Sequence, residues 1–168
     1  MIAPSQTKTV TVVPATSERW IDMEKLFGKN GASGGCWCMF WRLPRSDFKA
    51  MQAEEHKAVL RSMTQNNQVP GVLAYLAGSA IGWCSIGPRE DYIALEASRI
   101  LKRVDDQPVW SIACFFVNKL YRQTGISRAL LEGAVAYAQS KGAKIIEGYP
   151  IDLQTPELQG QKQLWLGY

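Results

Sequence analysis

The chain has 168 residues, of which 46% are hydrophobic and 20% are charged, and this favours one globular domain with a buried core. The net charge of +4 suits an anionic small molecule, but no basic block or nucleic-acid-binding motif indicates a nucleic-acid partner. No apolar run reaches the length of a membrane span and the first residues lack a signal-peptide layout, so we expect a cytoplasmic protein without a membrane partner.

The first part of the chain is predicted to form a strand, a helix, a loop and a second helix. Residues 8–15 are short and β-branched, which is typical of a strand. Ser17 is expected to be the N-cap of a helix that Gly28 ends. The glycine-rich and aromatic residues 28–47 predict a loop, and residues 53–67, in which acidic residues come first, predict the second helix.

A β-hairpin and a polar segment are predicted next. The apolar runs 72–76 and 80–86 flank Gly78 and Ser79, a pair that favours a tight turn between two antiparallel strands. Residues 91–110 are mostly polar and are predicted to lie outside the sheet.

The following elements are predicted to form a strand–helix–strand unit. Residues 111–117 are almost wholly apolar, as in a strand that is covered on both faces. Residues 127–141 predict a helix that Gly142 caps, and residues 144–149 predict another strand. The apolar stripe of this helix consists of Ile126, Leu130, Ala134 and Tyr137 or Ala138. Short connections make the two strands parallel, so the sheet is predicted to be mixed, with helices on both faces.

Residues 122–127 join this strand to this helix and read Arg-Gln-Thr-Gly-Ile-Ser. A helix N-terminus exposes unpaired N–H groups and a partial positive charge, so phosphate binds there readily. Gly125 lets the backbone approach a ligand, Arg122 adds a positive charge, and Thr124 and Ser127 add hydroxyl groups. The segment therefore predicts a pyrophosphate cradle, with an ordinary turn eased by Gly125 as the alternative. It is neither a P-loop nor a G-x-G-x-x-G fingerprint.

Residues 115–143 resemble the coenzyme-binding motif of the GNAT N-acetyltransferases, in which Arg/Gln-x-x-Gly-x-Gly/Ala follows an apolar strand and heads a helix. The resemblance covers roughly residues 8–150, and the segments GGCWCMFWR, GWCSIGPRE, VDDQPVWSIACFFV and EGYPID are similar to an uncharacterised subgroup of the family. It implies an α+β, three-layer α/β/α fold with a mixed, mostly antiparallel sheet and a splayed parallel strand pair. Ser127 departs from the motif, which has Gly or Ala at that position.

The same resemblance implies an enzyme that transfers the acetyl group of acetyl-CoA to a primary amine of a small molecule or a peptide by direct attack. The coenzyme is expected between strands 111–117 and 144–149, where a bulge in the first strand frees backbone N–H groups. We expect this bulge at Phe116 and Val117. The residues expected to bind the coenzyme are Phe116, Val117, Arg122, Gln123, Thr124, Gly125, Ile126, Ser127 and Arg128.

The general base and the general acid are not evident from the sequence. Three carboxylates follow the hairpin and could flank an acceptor site or be solvated loop residues: Glu90, Asp91 and Glu96. Cys114 is expected to share the face of Phe116, either in a catalytic role or as a buried structural thiol. Tyr149 could replace, by position, the C-terminal tyrosine that family members often use as the general acid.

No metal is expected, because the cysteine and histidine pattern falls short of a zinc site. Cys36 and Cys38 have no second Cys or His pair, and the single histidine, His56, is placed on a helix face away from the chemistry. The cysteines are too few and too scattered for a disulfide framework and are expected to be reduced: Cys36, Cys38, Cys84 and Cys114. Three aromatic residues could line an acceptor pocket or pack in the core: Trp37, Phe40 and Trp41.

The resemblance ends after the strand 144–149. Family members continue with a helix and two more strands, whereas 19 residues, 150–168, remain here, so we expect those elements to be missing or reduced. Several apolar residues close to the end could complete the sheet of a second copy in a homodimer, or fold back on their own sheet: Leu164, Trp165, Leu166 and Tyr168. The alternatives to an enzyme are a non-catalytic CoA-binding module and a different nucleotide-phosphate-binding protein.

Overall fold

A computed structural model describes residues 9–150 of the chain. Within these residues a single sheet is formed by the strands β1 (Thr11–Pro14), β2 (Gly71–Leu76), β3 (Ser79–Pro88), β4 (Trp110–Val117) and β5 (Ile146–Gly148). The α-helices are α1 (Trp20–Phe27), α2 (Arg45–Ala50), α3 (Ala53–Gln65), α4 (Ile93–Glu96) and α5 (Ile126–Ser140). Short 3-10 helices cover Ser17–Arg19, Arg89–Asp91 and Lys119–Tyr121. No helix of this part of the chain is long and apolar enough to cross a membrane.

The sheet is mixed, as predicted, with the strand order β1-β2-β3-β4-β5. The first three strand pairs are antiparallel, and β4 pairs with β5 in parallel. The predicted hairpin is formed by β2 and β3, and the predicted strand–helix–strand unit is formed by β4, α5 and β5. The topology therefore brings the end of β4, the start of α5 and the end of β5 to one region of the molecule.

Helix α5 covers one face of the sheet. Its buried residues are Ile126, Leu130, Ala134 and Ala138, which confirms the predicted stripe with Ala138 as its last member. They pack against apolar side chains of β2, β3 and β4. Gly142 adopts the left-handed conformation that a helix C-terminus favours, with φ of +87°, and Ala143 N–H donates to the Ala138 carbonyl at 3.0 Å.

Helices α1 and α3 cover the other face together with the segment between α1 and α2. Trp37 is only 3% exposed, and its ring lies 6.2 Å from that of Trp20 and 5.4 Å from that of Phe27. Trp37 is therefore a core residue, whereas Phe40 and Trp41 are only partly buried. The two faces of the sheet thus have separate cores, one on the α5 side and one on the α1 side.

Four details of the predicted secondary structure are wrong. Ser17 lies inside a 3-10 helix, so the preceding Thr16 is the residue at the cap position. The turn of the hairpin is Ala77-Gly78, since both residues have positive φ and Ser79 already belongs to β3. Helix α2 begins within the predicted loop, and the polar segment contains α4. These helices have six and four residues, which is too short for an apolar period to be visible in the sequence.

Candidate active site

The pairing of β4 with β5 ends halfway along β4, and the region beyond the last paired residues is called the cleft. The two strands pair from Trp110 and Ile146 only as far as Ile112 and Gly148. On its other edge β4 stays paired with β3 as far as Val117. Among the described strands, none pairs with the outer edge of β4 over residues 113–117. This edge corresponds to one side of the splayed strand pair that was predicted from the sequence, and within residues 9–150 its main-chain groups have no strand partner.

A β-bulge lies at the point where the cleft begins. Ser85 of β3 is opposite Cys114, but the next residue of β3, Ile86, is opposite Ile112, so Ala113 is the extra residue of β4. The bulge resets the alternation of side chains, because Ile112 packs on the α5 side while Cys114 packs on the α1 side. A bulge can supply a backbone N–H group that donates to a reacting carbonyl.

The bulge was predicted in the correct strand but at the wrong residues. Phe116 and Val117, where it was expected, pair regularly with Trp83 and Gly82. The sequence did not show the position, because β4 is apolar on both faces and an interruption of the period of two leaves no trace in such a run. The side chain of Phe116 packs against the Phe27 ring at 5.9 Å, and Val117 is 4% exposed.

Residues 122–128 form the turn from β4 into α5. Gly125 is the residue before the helix and has a left-handed backbone with φ of +86°. A side chain at this position would meet no other part of the described protein within 4 Å. Gln123 also has a positive φ, of +62°. The turn therefore leaves space beside the start of α5, where the first N–H groups of a helix lack partners within the helix.

The side chains of this turn are in different environments. The Arg122 Nε atom donates to the Val117 carbonyl at 3.1 Å, so the guanidinium group lies between the end of β4 and the start of α5. Thr124 Oγ1 donates to the Tyr121 carbonyl at 2.6 Å. Ile126 is buried under α5, whereas Ser127 is exposed and Arg128 pairs with Glu132 at 3.0 Å on the helix surface.

A buried arginine, Arg89, organises the other side of the cleft entrance. It is 1% exposed and contacts Glu96 at 2.5 Å and Glu147 at 2.6 Å. Its Nη1 atom also donates to the Tyr149 hydroxyl at 2.9 Å. Glu147 Oε1 accepts further hydrogen bonds from Ser111 Oγ at 2.6 Å and from the Tyr149 hydroxyl. This cluster, the Arg89 network, joins β4 and β5 at the last residues before they separate.

The charge of Arg89 influences the carboxylates and the phenol around it. Burial alone would raise the pKa of Glu147, but hydrogen bonds from Ser111, Tyr149 and Arg89 hold it below its usual value. The pKa of Tyr149 is raised, first by burial and then by its hydrogen bond to Glu147, so the phenol is protonated at neutral pH. Sequence reasoning named Tyr149 but missed Arg89, Ser111 and Glu147. The sequence feature that could have pointed to this network was a glutamate inside an otherwise apolar strand.

The carboxylates that were predicted to flank an acceptor site make ion pairs. Glu96 contacts both Arg89 and Arg103, and Arg103 also contacts Glu90 at 2.7 Å. Burial would raise the pKa of Glu96, but hydrogen bonds from the two arginines lower it. Asp91, whose side chain is half exposed, lies 3.9 Å from the buried Arg42. The pKa values of Glu90 and Glu96 are thus lowered, whereas a general base near neutral pH needs a raised one.

Comparison with known proteins identifies the family. A sequence model described as the acetyltransferase (GNAT) family matches residues 37–150, which is more than half of the chain. The chain belongs to the GNAT acetyltransferase family. It is therefore an acetyltransferase, and the fold described above is the GNAT fold. No curated protein matches the chain in sequence.

Solved structures of GNAT proteins share this fold at low sequence identity. An aminoglycoside N-acetyltransferase, AAC(6')-Iy, in complex with CoA has a TM-score of 0.58 and 17% identity, covering 96% of this chain and 87% of that one. An aminoglycoside 6'-N-acetyltransferase from Acinetobacter haemolyticus has a TM-score of 0.53 and 13% identity, covering 93% and 91%. A ribosomal-protein-alanine N-acetyltransferase from Brucella melitensis has a TM-score of 0.50 and 12% identity, covering 93% and 88%.

The cysteines of this GNAT protein surround β4 and are free thiols. Cys38 and Cys84 are buried, and Cys36 and Cys114 are partly buried. Within residues 9–150 no group of three or more His, Cys, Asp or Glu side chains is arranged to hold a metal ion. His56 is 4% exposed, and its ring nitrogens lie 2.9 Å from the Gly35 carbonyl and 3.2 Å from the Phe48 carbonyl. It is thus a buried residue that joins α3 to the preceding segment.

A surface pocket of about 590 Å³ lies at the opposite edge of the sheet from the GNAT cleft. It is lined by Thr9, Thr11, Val13, Glu18, Arg19, Asp22, Tyr75, Ala77 and Gly78. The Tyr75 hydroxyl donates to Asp22 within it at 2.8 Å. Because β1 and β5 are the outer two of the described strands, this pocket is separate from the cleft between β4 and β5.

Proposed function

We propose that this GNAT enzyme transfers the acetyl group of acetyl-CoA to a primary amine of a small molecule or a peptide. The observation that carries the proposal is the cleft that opens after Ile112 and Gly148, with the bulge at Ala113 on one side. The N-terminus of α5 follows β4 directly at the far end of the same cleft. A long ligand with an anionic end and an amide-bearing arm fits a strand edge that leads to a helix N-terminus.

The coenzyme is proposed to bind residues 116–117 and 122–128. Phe116 and Val117 would contribute main-chain groups, because their side chains are already packed in the two cores. The turn at Gly125 would hold the pyrophosphate, because the space beside Gly125 is clear of described atoms and Arg122 belongs to the same turn at the start of α5. The residues assigned to this role are Phe116, Val117, Arg122, Gln123, Thr124, Gly125, Ile126, Ser127 and Arg128.

Acetyl-CoA supplies an activated thioester, and the chain supplies orientation and polarisation. Main-chain N–H groups of β4 near Ala113 would donate to the thioester oxygen and stabilise the negative charge that develops there. The amine nitrogen then attacks the carbonyl carbon as the carbon–sulfur bond breaks, and the attacking amine must lose a proton. Trp41 and Tyr149, the partly buried side chains that pack against the core cluster of Ala113, would border the acceptor.

The roles of the catalytic candidates follow from their surroundings. Tyr149 is protonated and adjacent to Ala113, so it is the best placed of them to hold a proton near the leaving sulfur. Its hydroxyl must first exchange its hydrogen bond to Glu147 for one to the sulfur. Glu96 is held by two arginines, which makes it a weak base, and Cys114 lies next to the bulge without a required part in direct attack.

One observation favours the non-catalytic alternative, a CoA-binding module. The acidic groups and the phenol near the cleft entrance are engaged with Arg89 and Arg103 rather than directed at an acceptor.

Two experiments separate the possibilities. Isothermal titration with CoA, ATP and NAD tests the coenzyme, and only CoA is expected to bind. Release of free thiol from acetyl-CoA in the presence of aminoglycosides or peptides with N-terminal alanine tests transfer, since the structural neighbours carry those names.

Binding of CoA without amine-dependent thiol release would support the module, and absence of CoA binding would refute both the enzyme and the module.

We also propose a homodimer that acts in the cytoplasm. The residues that were expected to complete its sheet lie in 151–168, outside the described residues.

A further inference from the structure

Two cysteines from distant parts of the chain meet beside the bulge of β4. Trp83 is opposite Phe116 in the β3–β4 register, so its side chain shares the sheet face of Phe116 and Cys114. The Trp83 Nε1 atom donates to Cys38 Sγ at 3.0 Å, which places Cys38 above that face. Cys38 and Cys114 belong to one core cluster, and each thiol shifts the pKa of the other.

The two thiols of this pair are unequal. Interaction with the Cys38 thiol lowers the pKa of Cys114. The same interaction and burial raise the pKa of Cys38, and burial also raises the pKa of Cys36 and Cys84. Cys114 is also partly exposed, whereas Cys38 is buried. Thiolate character and access decide which cysteine reacts first with an oxidant, and both favour Cys114.

We propose that Cys114 and Cys38 form a reversible disulfide in the presence of hydrogen peroxide. The Cys114 sulfur attacks one peroxide oxygen, the O–O bond breaks, and water leaves, which gives a sulfenic acid. The Cys38 sulfur then attacks the Cys114 sulfur, the S–O bond breaks, and a second water leaves. The two thiols lose two electrons and two protons in total, and one peroxide becomes two waters. A dithiol reductant reverses the change.

The disulfide is expected to regulate the coenzyme cleft, and this consequence rests on the proposed function. Cys114 belongs to residues 113–117, the part of β4 whose outer edge is open. A sulfur–sulfur bond of about 2.05 Å is shorter than any contact between free thiols, so oxidation draws the Cys38 segment and β4 together. Displacement of the bulge by even a fraction of an ångström is expected to lower acetyl-CoA affinity by on the order of tenfold or more.

The test uses the full-length protein, reduced, freed of reductant and treated with hydrogen peroxide. Digestion under non-reducing conditions followed by mass spectrometry is expected to yield one crosslinked peptide pair, containing Cys38 and Cys114, that disappears with dithiothreitol. The Cys114→Ser variant is expected to lose the crosslink, and Cys84→Ser is the control that keeps it. Since Cys38→Ser also changes the contact with Trp83, the decisive result is the wild-type peptide pair. A crosslink through Cys36, or sulfinic acid at Cys114 without a crosslink, would overturn the proposal.

A second arm separates this proposal from the proposed function. Oxidation is repeated with saturating acetyl-CoA, whose sulfur is acylated and does not consume peroxide as a thiol would. The crosslink is expected to form several-fold more slowly, because the bound coenzyme covers Cys114. If acetyl-CoA binds but the rate of crosslinking is unchanged, the thiol pair stands and the placement of the coenzyme along β4 is wrong.

Discussion

Replacement of Arg89 by methionine is expected to destabilise the protein strongly. Arg89 is 1% exposed and contacts two carboxylates, Glu96 and Glu147, whose side chains are only 33% and 21% exposed. Removal of one partner from a buried ion pair destabilises by about 3–5 kcal/mol, because the remaining charge has lost its compensation. Glu96 keeps Arg103 as a second partner, so we expect the lower end of this range, about 3 kcal/mol.

The assay is thermal unfolding followed by circular dichroism. For a chain of this size each kcal/mol shifts Tm by about 2–4 °C, so Arg89→Met should lower Tm by about 6–12 °C. Arg103→Met is the matched control. Its side chain is 25% exposed and pairs with Glu90 and Glu96 near the surface, so its loss should destabilise by less than about 1 kcal/mol. Equal effects of the two substitutions would refute the reasoning.

The dependence of stability on pH in acid gives an independent check of the role of Arg89. The pKa of Glu147 is lower in the folded protein than in the unfolded chain, so the unfolded chain takes up the proton first as the pH falls. The contribution of Glu147 is therefore complete at neutral pH and is lost below about pH 4.3, the usual glutamate value. Arg89→Met removes a cause of the lowered pKa, so its stability should fall less steeply in acid than that of the wild type. Parallel curves for both proteins would contradict this account.

Three further outcomes are expected. Gly125→Val should weaken CoA binding by about tenfold or more, or about 1.4 kcal/mol. The control is Gly142→Val, which has a nearly identical φ and equally open surroundings and should leave the CoA affinity in a titration unchanged. Equal loss of affinity in both variants would count against the pyrophosphate cradle. Leu130→Ala, which empties a fully buried position, should lower the free energy of unfolding in urea by about 2–5 kcal/mol. Leu131→Ala, whose side chain is 45% exposed, should lower it by a small fraction of that. Similar urea midpoints for the two variants would argue against the α5 packing. Light scattering should give a dimer for the full chain and a monomer for one that ends at Asp152; a monomer in both cases would remove the proposed exchange.

Much of the fold was predictable because its strands and helix α5 carry strong local patterns. The stripe of α5 has the helical period over fifteen residues, and the hairpin strands are apolar runs of the expected length. The turn at Gly125 was predictable for another reason, because a glycine between an apolar strand and a helix is a local motif. The short helices α2 and α4 were missed because four to six residues hold too little of any period.

The bulge and the Arg89 network were not predictable, because both depend on pairing between distant residues. Ala113 becomes the extra residue only through its register against Ser85 and Ile86, and an apolar strand gives no sign of it. Arg89 and Glu147 are separated by 58 positions and meet only because β5 pairs in parallel with β4. Arg89 and Glu147 are nevertheless unusual in the sequence, because each is a charged residue at the end of or inside an apolar strand. Because a buried charge requires a partner of opposite sign, two such anomalies in one chain predict each other once the strand order is known.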